Sequence, residues 1–306
     1  MMTFLLRNKN RIFYQLPITF LILWLFLHPQ QLYATSLEAL KIWLLTLIPS
    51  MFLAMILIRF LHALGIFHLL GKWLHPFSWH IFHIDGNAFA YVLTSLFLGF
   101  PASAMLIDEA YYKQQLSKDA ARRLILCVSC ASFGFISVTC PLLYQDETIV
   151  MPLLFSQLGA IAVLLFVTRS TVIVSDPIHM TSTSFYEACT QSIRSSGYAI
   201  FIIGTYVLII TSLHPLIQFL LPPRLALFPR ILMEFSSGTI LLASLPFSFS
   251  LRLSLQSALL GFAGFCVHMQ IMAMIPHIKL SYFHYFLYRI LQALLAFAFA
   301  FFFFSL

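Results

Sequence analysis

The sequence predicts an all-α polytopic membrane protein with about seven to nine membrane helices, two of them re-entrant or broken within an inverted repeat. The first observation is composition: 61% of the 306 residues are apolar and only 9% are charged, whereas soluble domains carry roughly a quarter charged residues. The second is that the apolar runs are long and do not alternate with polar residues, which excludes a β-barrel. The third is that a broken apolar segment occurs in each half.

Charge and cysteine usage narrow the classes of partner. The 17 basic and 10 acidic residues give a net charge of +7. The basic residues stand singly or in short clusters between apolar segments, which is typical of topology signals and not of nucleic-acid binding. The five cysteines fall inside or beside apolar segments and predict packing residues without a disulfide framework. The expected partners are the lipid bilayer and a small-molecule substrate, with no nucleic acid.

The N-terminal residues 1–35 form the first element. Arg7, Lys9 and Arg11 precede the apolar segment 16–27, which favours a membrane span or signal anchor that starts in the cytoplasm. A signal peptide cleaved near residues 34–36 is the alternative. Polar residues 28–31 are expected to separate this segment from the next. The following apolar segments are 37–64, 88–107, 120–143, 149–168, 185–213, 225–245, 253–275 and 282–304.

Two of these segments are interrupted. Segment 88–107 contains Gly99 and Pro101, and segment 225–245 contains Glu234 followed by Ser236, Ser237 and Gly238. Such residues break a membrane helix, and the freed backbone groups are tolerated only where protein or a water cavity surrounds them. If 88–107 crossed the bilayer fully, the basic cluster at 113–123 would lie outside, against the positive-inside rule. The sequence therefore predicts a re-entrant hairpin.

The segment 65–85 is too short to cross the membrane twice, and it mixes polar with apolar residues. Its tryptophans and histidines suit one helix lying at the bilayer interface. The nearby histidines lack paired carboxylates and a closed ligand spacing, so no metal site is predicted. These histidines are His62, His68, His75, His80 and His83.

The order of elements occurs twice along the chain. Residues 36–168 form the first predicted repeat, 169–184 a linker, and 185–306 the second repeat. Each repeat has a long span, an interfacial stretch, a broken segment and a span rich in small residues. The predicted topology makes the two repeats opposite in orientation, and inverted repeats with paired broken helices point to a transporter with a site near the midplane.

Several ordered motifs resemble a known family. They are Leu98-Gly99-Phe100-Pro101-Ala102-Ser103-Ala104, residues 115–124, Glu234-Phe235-Ser236-Ser237-Gly238, Gly264-Phe265-Cys266-Val267-His268-Met269-Gln270 and Tyr288-Arg289-Ile290-Leu291. Across residues 36–300 this set is similar to the nucleoside-recognition (Gate) domain membrane proteins, in particular to the YlbJ-like sporulation integral membrane proteins. One departure is at residues 130–134, where the family often has Asn-Thr-Ser-x-Pro. If those polar groups contact substrate in the family, the ligand of this chain differs.

The resemblance implies a fold distantly related to concentrative nucleoside transporters. It also implies a multi-pass protein of a bacterial cell membrane, with a role in spore formation for the subgroup. Movement of dipicolinate between compartments of the developing spore is the task suggested for that subgroup. Composition and spacing indicate neither a nucleoside nor dipicolinate.

The candidate substrate-binding residues are the polar and helix-breaking groups at membrane depth, because each is costly in lipid without a partner. They are Gly99, Pro101, Ser103, Ser129, Ser132, Glu234, Ser236, Ser237, Gly238, His268 and Gln270. Structural alternatives stay open: Glu234 could pair with Arg230, the serines could bond their own helices, and His268 could satisfy a backbone carbonyl. Asp108 and Glu109 are expected to pair with Lys113 or Arg122 of the 113–123 cluster.

These features favour a transporter or permease for a small polar or anionic metabolite, nucleoside-like or dipicolinate-like. The alternative is a non-transporting structural membrane protein of a sporulation complex. An enzyme is not expected, because the sequence has no G-x-S-x-G, no H-E-x-x-H and no clustered acidic motif. No cofactor is predicted beyond a coupling cation, H⁺ or Na⁺. The substrate, its direction of movement, the ion and homo-oligomerisation stay open.

Overall fold

The computed structural model describes residues 19–20, 22–173 and 184–305, so residues 16–18 and 21 of the predicted first span lie outside the described residues. In those residues the regular structure is helical, which confirms the all-α membrane class. Five helical stretches are long and apolar enough to cross a bilayer: Pro29–Ala63, Glu147–Val167, Phe185–Leu220, Phe249–Met274 and Tyr282–Phe304.

The principal helices of the described residues are numbered in chain order. They are α1 (Pro29–Ala63), α2 (Ile66–Trp73), α3 (His75–Phe82), α4 (Gly86–Leu98), α5 (Ala102–Tyr112), α6 (Lys118–Val128), α7 (Phe135–Tyr144), α8 (Val150–Val167), α9 (Phe185–Thr211), α10 (His214–Leu220), α11 (Pro223–Met233), α12 (Phe235–Ala243), α13 (Phe249–Phe262), α14 (Gly264–Met274) and α15 (Tyr282–Ser305).

Helix α1 begins earlier than the sequence predicted. Residues 22–27 are helical, His28 interrupts them, and Pro29 opens α1, so the predicted start at residue 37 is wrong. Proline suits this position because the first turn of a helix does not need its amide hydrogen. Further along α1, the stretch Ile42–Phe52 is π-helical and contains Pro49. A wider turn accommodates a proline that cannot donate to the preceding turn.

The stretch predicted as one interfacial helix forms two short helices, α2 and α3, which is a correction. They are separate because Leu74 leaves the helical conformation and Pro76 restarts the chain as an N-terminal helical residue. Helix α2 packs closely on the start of α4, since a Cβ on Gly71 would lie 2.0 Å from the Gly86 carbonyl oxygen. Among the described residues no group of three or more His, Cys, Asp or Glu could hold a metal ion.

Helices α4 and α5 form the predicted hairpin. The chain leaves the helix at Gly99 and resumes it at Ala102. The Tyr91 hydroxyl, near the start of the first limb, donates to Gln115 Oε1 just beyond the second limb at 2.8 Å. The limbs have 13 and 11 residues, too few for either to cross the roughly 30 Å hydrocarbon core. The hairpin prediction is therefore confirmed in its geometry.

Helices α11 and α12 form the second hairpin, and its tip is the single residue Glu234. The limbs approach closely there, because a Cβ on Gly238 would lie 2.4 Å from the Ile231 carbonyl oxygen. Leu227 of the first limb and Leu245 beyond the second line the same apolar groove. Both interrupted segments predicted from the sequence thus fold back on themselves.

Two more interruptions follow the hairpins. Residues 129–132 interrupt the helix between α6 and α7, and Ala263, with φ 76°, separates α13 from α14. The sequence analysis treated each of these segments as one continuous span, which is wrong. The signal was the run of small residues at each place, where a chain can leave the helix without losing large side-chain contacts. Each hairpin is thus followed by a helix that is itself broken.

The turns of the two halves meet in a crossed pattern. Asp108 and Tyr112, at the end of α5, contact His277 in the turn between α14 and α15. At another turn, Tyr144 of α7 contacts Phe249 at the start of α13, with ring centroids 6.3 Å apart. The turn after one hairpin therefore lies beside the turn that ends the broken helix of the other half.

Candidate functional site

The interruptions of the two halves come together through three aromatic rings. Phe100, at the tip of the first hairpin, lies edge-on to Phe235 at 5.2 Å between centroids. Phe135, which opens α7, lies 4.4 Å from the same Phe235 ring. The two breaks therefore lie close together in space, and the sequence analysis did not identify these rings as the contact.

Close backbone contact fixes the first break. Gly99 has φ 67° and ψ 175°, a conformation that is essentially restricted to glycine. A Cβ at this position would lie 2.3 Å from the Ser132 amide nitrogen. The Phe100 amide donates to the Cys130 carbonyl at 2.7 Å. The hairpin tip therefore rests directly on the extended chain between α6 and α7.

A carboxylate fixes the second break. Glu234 is 1% exposed, and its Oε1 and Oε2 accept hydrogen bonds from the amides of Ser236 at 2.9 Å and Ser237 at 2.6 Å. These are amides at the start of α12 that have no partner within the helix, and they attract negative charge. No ion pair joins Glu234 to Arg230 among the described residues. The alternative of a structural pair with Arg230 is therefore wrong, and the carboxylate caps its own helix.

A small cavity lies where the breaks meet. Five predicted site residues line it: Pro101, Ser132, Glu234, Ser236 and Gln270. Its other walls are apolar and come from α1, α7, α9, α14 and the two hairpin tips: Leu47, Met51, Phe100, Phe135, Ile203, Val207, Phe235 and Val267. The space open to water centres is about 20 Å³, enough for about one water molecule.

Two polar groups on the cavity wall are held by neighbours. Ser132 Oγ accepts a hydrogen bond from the Phe135 amide at 3.1 Å and so caps the start of α7. Gln270 Nε2 lies 3.2 Å from Cys266 Sγ, one helical turn earlier. A thiol is a weak acceptor. Of these two groups on the cavity wall, the Gln270 amide therefore has the weaker hydrogen bond to the protein.

The other predicted residues lie near the breaks but do not line the cavity. Ser129 Oγ donates to the Ile125 carbonyl at 2.7 Å, and His268 Nε2 lies 2.8 Å from the Phe262 carbonyl, so the structural alternative holds for both. Ser237 Oγ bonds the Glu234 carbonyl at 3.3 Å. Substrate binding by any of the predicted set stays a prediction. The residues outside the wall are Gly99, Ser103, Ser129, Ser237, Gly238 and His268.

The acidic pair at the end of α5 has partners that the sequence did not predict. Asp108 accepts hydrogen bonds from the backbone amides of His277 at 3.2 Å and Ile278 at 3.0 Å, and pairs with His277 Nδ1 at 2.7 Å. Glu109 pairs with Arg59 of α1 at 3.2 Å. Pairing with the 113–123 cluster is therefore wrong. Those basic side chains lie beyond the end of α5, whereas α1 and the α14–α15 turn pack beside it.

Arg289 is a residue of this region whose role sequence reasoning missed. It is fully buried on α15, and its guanidinium donates to the Leu126 and Ser129 carbonyls at the end of α6. These carbonyls have no partner within α6 because the helix ends there. A lone arginine in an apolar segment was the available signal.

Comparison of the chain with protein-family models, with curated proteins and with solved structures finds no match. The family resemblance therefore stays a prediction that rests on its motifs. The chemistry of the breaks and the cavity is the basis for a functional proposal.

Proposed function

We propose that this membrane protein is a transporter or permease for a small polar metabolite, with its binding site at the junction of the two hairpin tips. The observation that carries the proposal is the meeting of three helix interruptions, two from the first half and one from the second, around a cavity that contains a buried carboxylate. Non-helical backbone at membrane depth is tolerated where it lines a cavity, and paired broken helices of this kind form transporter sites. The proposal makes the chain a carrier and not an enzyme.

The crossed contacts between turns support an inverted repeat. With parallel repeats, the turn after one hairpin would lie on the same side as the turn after the other hairpin. Here Asp108, after the first hairpin, contacts the turn that follows α14. Two cysteine variants test the orientation: Lys113→Cys should be labelled only from the cytoplasm, and Glu147→Cys only from outside. Both positions are exposed, and labelling of both from one side would contradict inversion.

The wall chemistry favours one class of solute. Phe100, Phe135 and Phe235 suit a flat ring, and Glu234 and Gln270 suit hydroxyl or N–H donors. A nucleoside-like solute has both features. A dipicolinate-like dianion would face the Glu234 carboxylate, so its binding requires a coupled cation, H⁺ or Na⁺. In the family that the motifs resemble, the membrane would be that of a bacterial cell or its developing spore.

Uptake by proteoliposomes tests the proposal. A panel of nucleosides, dipicolinate and other small carboxylates is offered with and without H⁺ and Na⁺ gradients. We expect saturable uptake of at least one solute, and a loss of at least tenfold in Glu234→Gln, which removes the charge at constant volume. Glu147→Gln, an exposed glutamate remote from the cavity, is the matched control and should transport normally. Equal transport by both variants would remove the carboxylate from the mechanism.

A non-transporting structural role is the second candidate. The observation that favours it is the volume of the cavity, because about 20 Å³ of space for water centres holds no metabolite. A transporter must therefore separate the hairpin tips during its cycle. A disulfide that joins the tips would abolish uptake by a transporter, while a structural protein would show no uptake before or after cross-linking.

A further inference from the structure

Three arginines are buried among the residues that the structure describes, and their partners differ. Arg59 pairs with the Glu109 carboxylate. Arg123 has no carboxylate partner among the described residues, but its Nε donates to Thr168 Oγ1 at 3.0 Å. Its other nitrogens donate to three backbone carbonyls, those of Phe82, Leu165 and Thr171.

Arg289 has neither arrangement. It is the most deeply buried of the three, at 0% exposure. No carboxylate pairs with it among the described residues, whose ion pairs involve other cations. Its terminal nitrogens donate to the Leu126 and Ser129 carbonyls, and its Nε–H has no partner. The guanidinium is therefore short of both one acceptor and one negative charge.

A second polar side chain on the same face of α15 is also unsatisfied. Gln292 follows Arg289 by three residues, so the two side chains are neighbours on the helix surface. Gln292 is 0% exposed, and both its Nε2 and Oε1 lack hydrogen-bond partners. On the other side, the Arg289 Cζ lies 5.2 Å from the centroid of the Tyr285 ring. The Tyr285 hydroxyl lies near the Ser129 side chain without a hydrogen bond of normal geometry.

The energetic cost of this arrangement is large in a bilayer. A charged group at the centre of a membrane helix is unfavourable by at least roughly 2.5–3.5 kcal/mol. The end of α6 offsets only part of the charge, because a helix C-terminus is equivalent to about half a negative charge. Unpaired donors add to the cost, since no solvent water satisfies them within lipid. A bound group that accepts hydrogen bonds and carries one negative charge would remove both deficits.

We propose that α15 holds a small monovalent inorganic anion, such as chloride, against Arg289 Nε and Gln292 Nε2. The anion accepts one hydrogen bond from each side chain. It also compensates the part of the Arg289 charge that the C-terminus of α6 does not offset. Arg289 contacts the end of α6, and neither donor of the site lines the cavity at the hairpin tips. It is thus separate from the proposed solute site and serves as a permanent counter-ion site.

Thermal unfolding of the purified full-length protein in detergent tests this site. Sodium chloride is titrated against sodium gluconate at constant ionic strength, because gluconate is too large for a buried site of this kind. The unfolding midpoint should rise with chloride and saturate. In Gln292→Leu the half-saturating chloride concentration should increase at least ~10-fold, since loss of one hydrogen bond of about 1.4 kcal/mol corresponds to a factor of ten. Without chloride, this variant should be at least as stable as wild type, because it removes two unpaired polar atoms.

Gln256→Leu is the matched control. Gln256 is another fully buried glutamine, and its Nε2 donates to Thr239 Oγ1 of α12 at 3.0 Å. This variant should lose stability equally in both salts and keep the wild-type chloride response. Arg289→Lys keeps the charge without the Nε donor and should weaken chloride binding like Gln292→Leu. An equal midpoint in chloride and gluconate, or an unchanged chloride response in Gln292→Leu, would overturn the proposal. Crystals soaked in bromide that show only water beside Arg289 Nε would overturn it too.

Discussion

Both hairpin tips interrupt a helical segment, but different interactions stabilise the two interruptions. At the first tip, Gly99 adopts a backbone conformation that favours glycine, and it lies against the backbone of Ser132. A segment that is distant in sequence therefore stabilises this break. At the second tip, Glu234 accepts two amides of its own following helix, so the break is stabilised locally. The first tip therefore depends on shape and the second on charge and hydrogen bonding. Substitutions at the two tips should differ accordingly in size and in their sensitivity to side-chain polarity.

Gly99→Ala should have the largest effect. The added Cβ would lie 2.3 Å from the Ser132 amide nitrogen, and the backbone conformation is strained for alanine. Together these effects should lower the free energy of unfolding by about 3–5 kcal/mol. Reversible unfolding in detergent measures the change. Gly197→Ala is the control, because a Cβ there meets nothing within 4 Å and alanine favours a helix. If the Gly99→Ala protein were as stable as the Gly197→Ala protein, close backbone packing would not be what stabilises the first tip.

Glu234→Gln should have an intermediate effect on stability. The glutamine amide group keeps one acceptor oxygen and loses the other, so one of the Ser236 and Ser237 amides is left unpaired in the interior. We expect a loss of about 1–3 kcal/mol in the free energy of unfolding. Arg230→Gln is the comparison variant, since Arg230 forms no ion pair with Glu234. If the two substitutions proved strongly coupled in a double-mutant cycle, the local cap would not be the main interaction of the carboxylate.

Ser132→Ala should have the smallest effect of the three. It removes the side-chain acceptor for the Phe135 amide, and loss of such a helix cap costs about 1 kcal/mol. The backbone surface on which Gly99 rests is unchanged. Combined with Gly99→Ala, the substitution tests whether contact with the backbone, and not with the hydroxyl, holds the first tip. Non-additive effects above ~1 kcal/mol would assign that role to the side chain instead.

Sequence reasoning predicted the fold class, the first hairpin and the break at Glu234, because Gly99, Pro101 and Glu234 interrupt long apolar segments whose length alone identifies membrane helices. It did not predict the breaks at residues 129–132 and at Ala263. Small residues such as those at 129–134 are compatible with both a tight helix contact and an extended chain, and only the neighbour decides. Ser132 lies outside the helix and contacts Gly99, a neighbour from a distant part of the sequence.

For the candidate site, the polar residues of the cavity wall were predicted individually, and Glu234 most clearly. The apolar wall was not, because Phe100, Phe135 and Phe235 cannot be distinguished from ordinary lipid-facing aromatics in a chain with 33 phenylalanines. The partners of buried charges were also missed. Asp108 has basic residues nearby in sequence, yet its partner is His277, which only the packing of α5 against the α14–α15 turn brings near.

The contact between Asp108 and His277 sets an order for biosynthesis. The two residues are 169 positions apart in sequence. At roughly 5–20 residues per second of translation, Asp108 leaves the ribosome about 8–34 s before its partner is made. During that interval the first hairpin has its Arg59 contact but not the contact that joins it to the C-terminal half. The first half therefore lacks this contact in the membrane until residue 277 has been synthesised. A chain truncated before residue 277 should be a preferred substrate for membrane quality-control proteases.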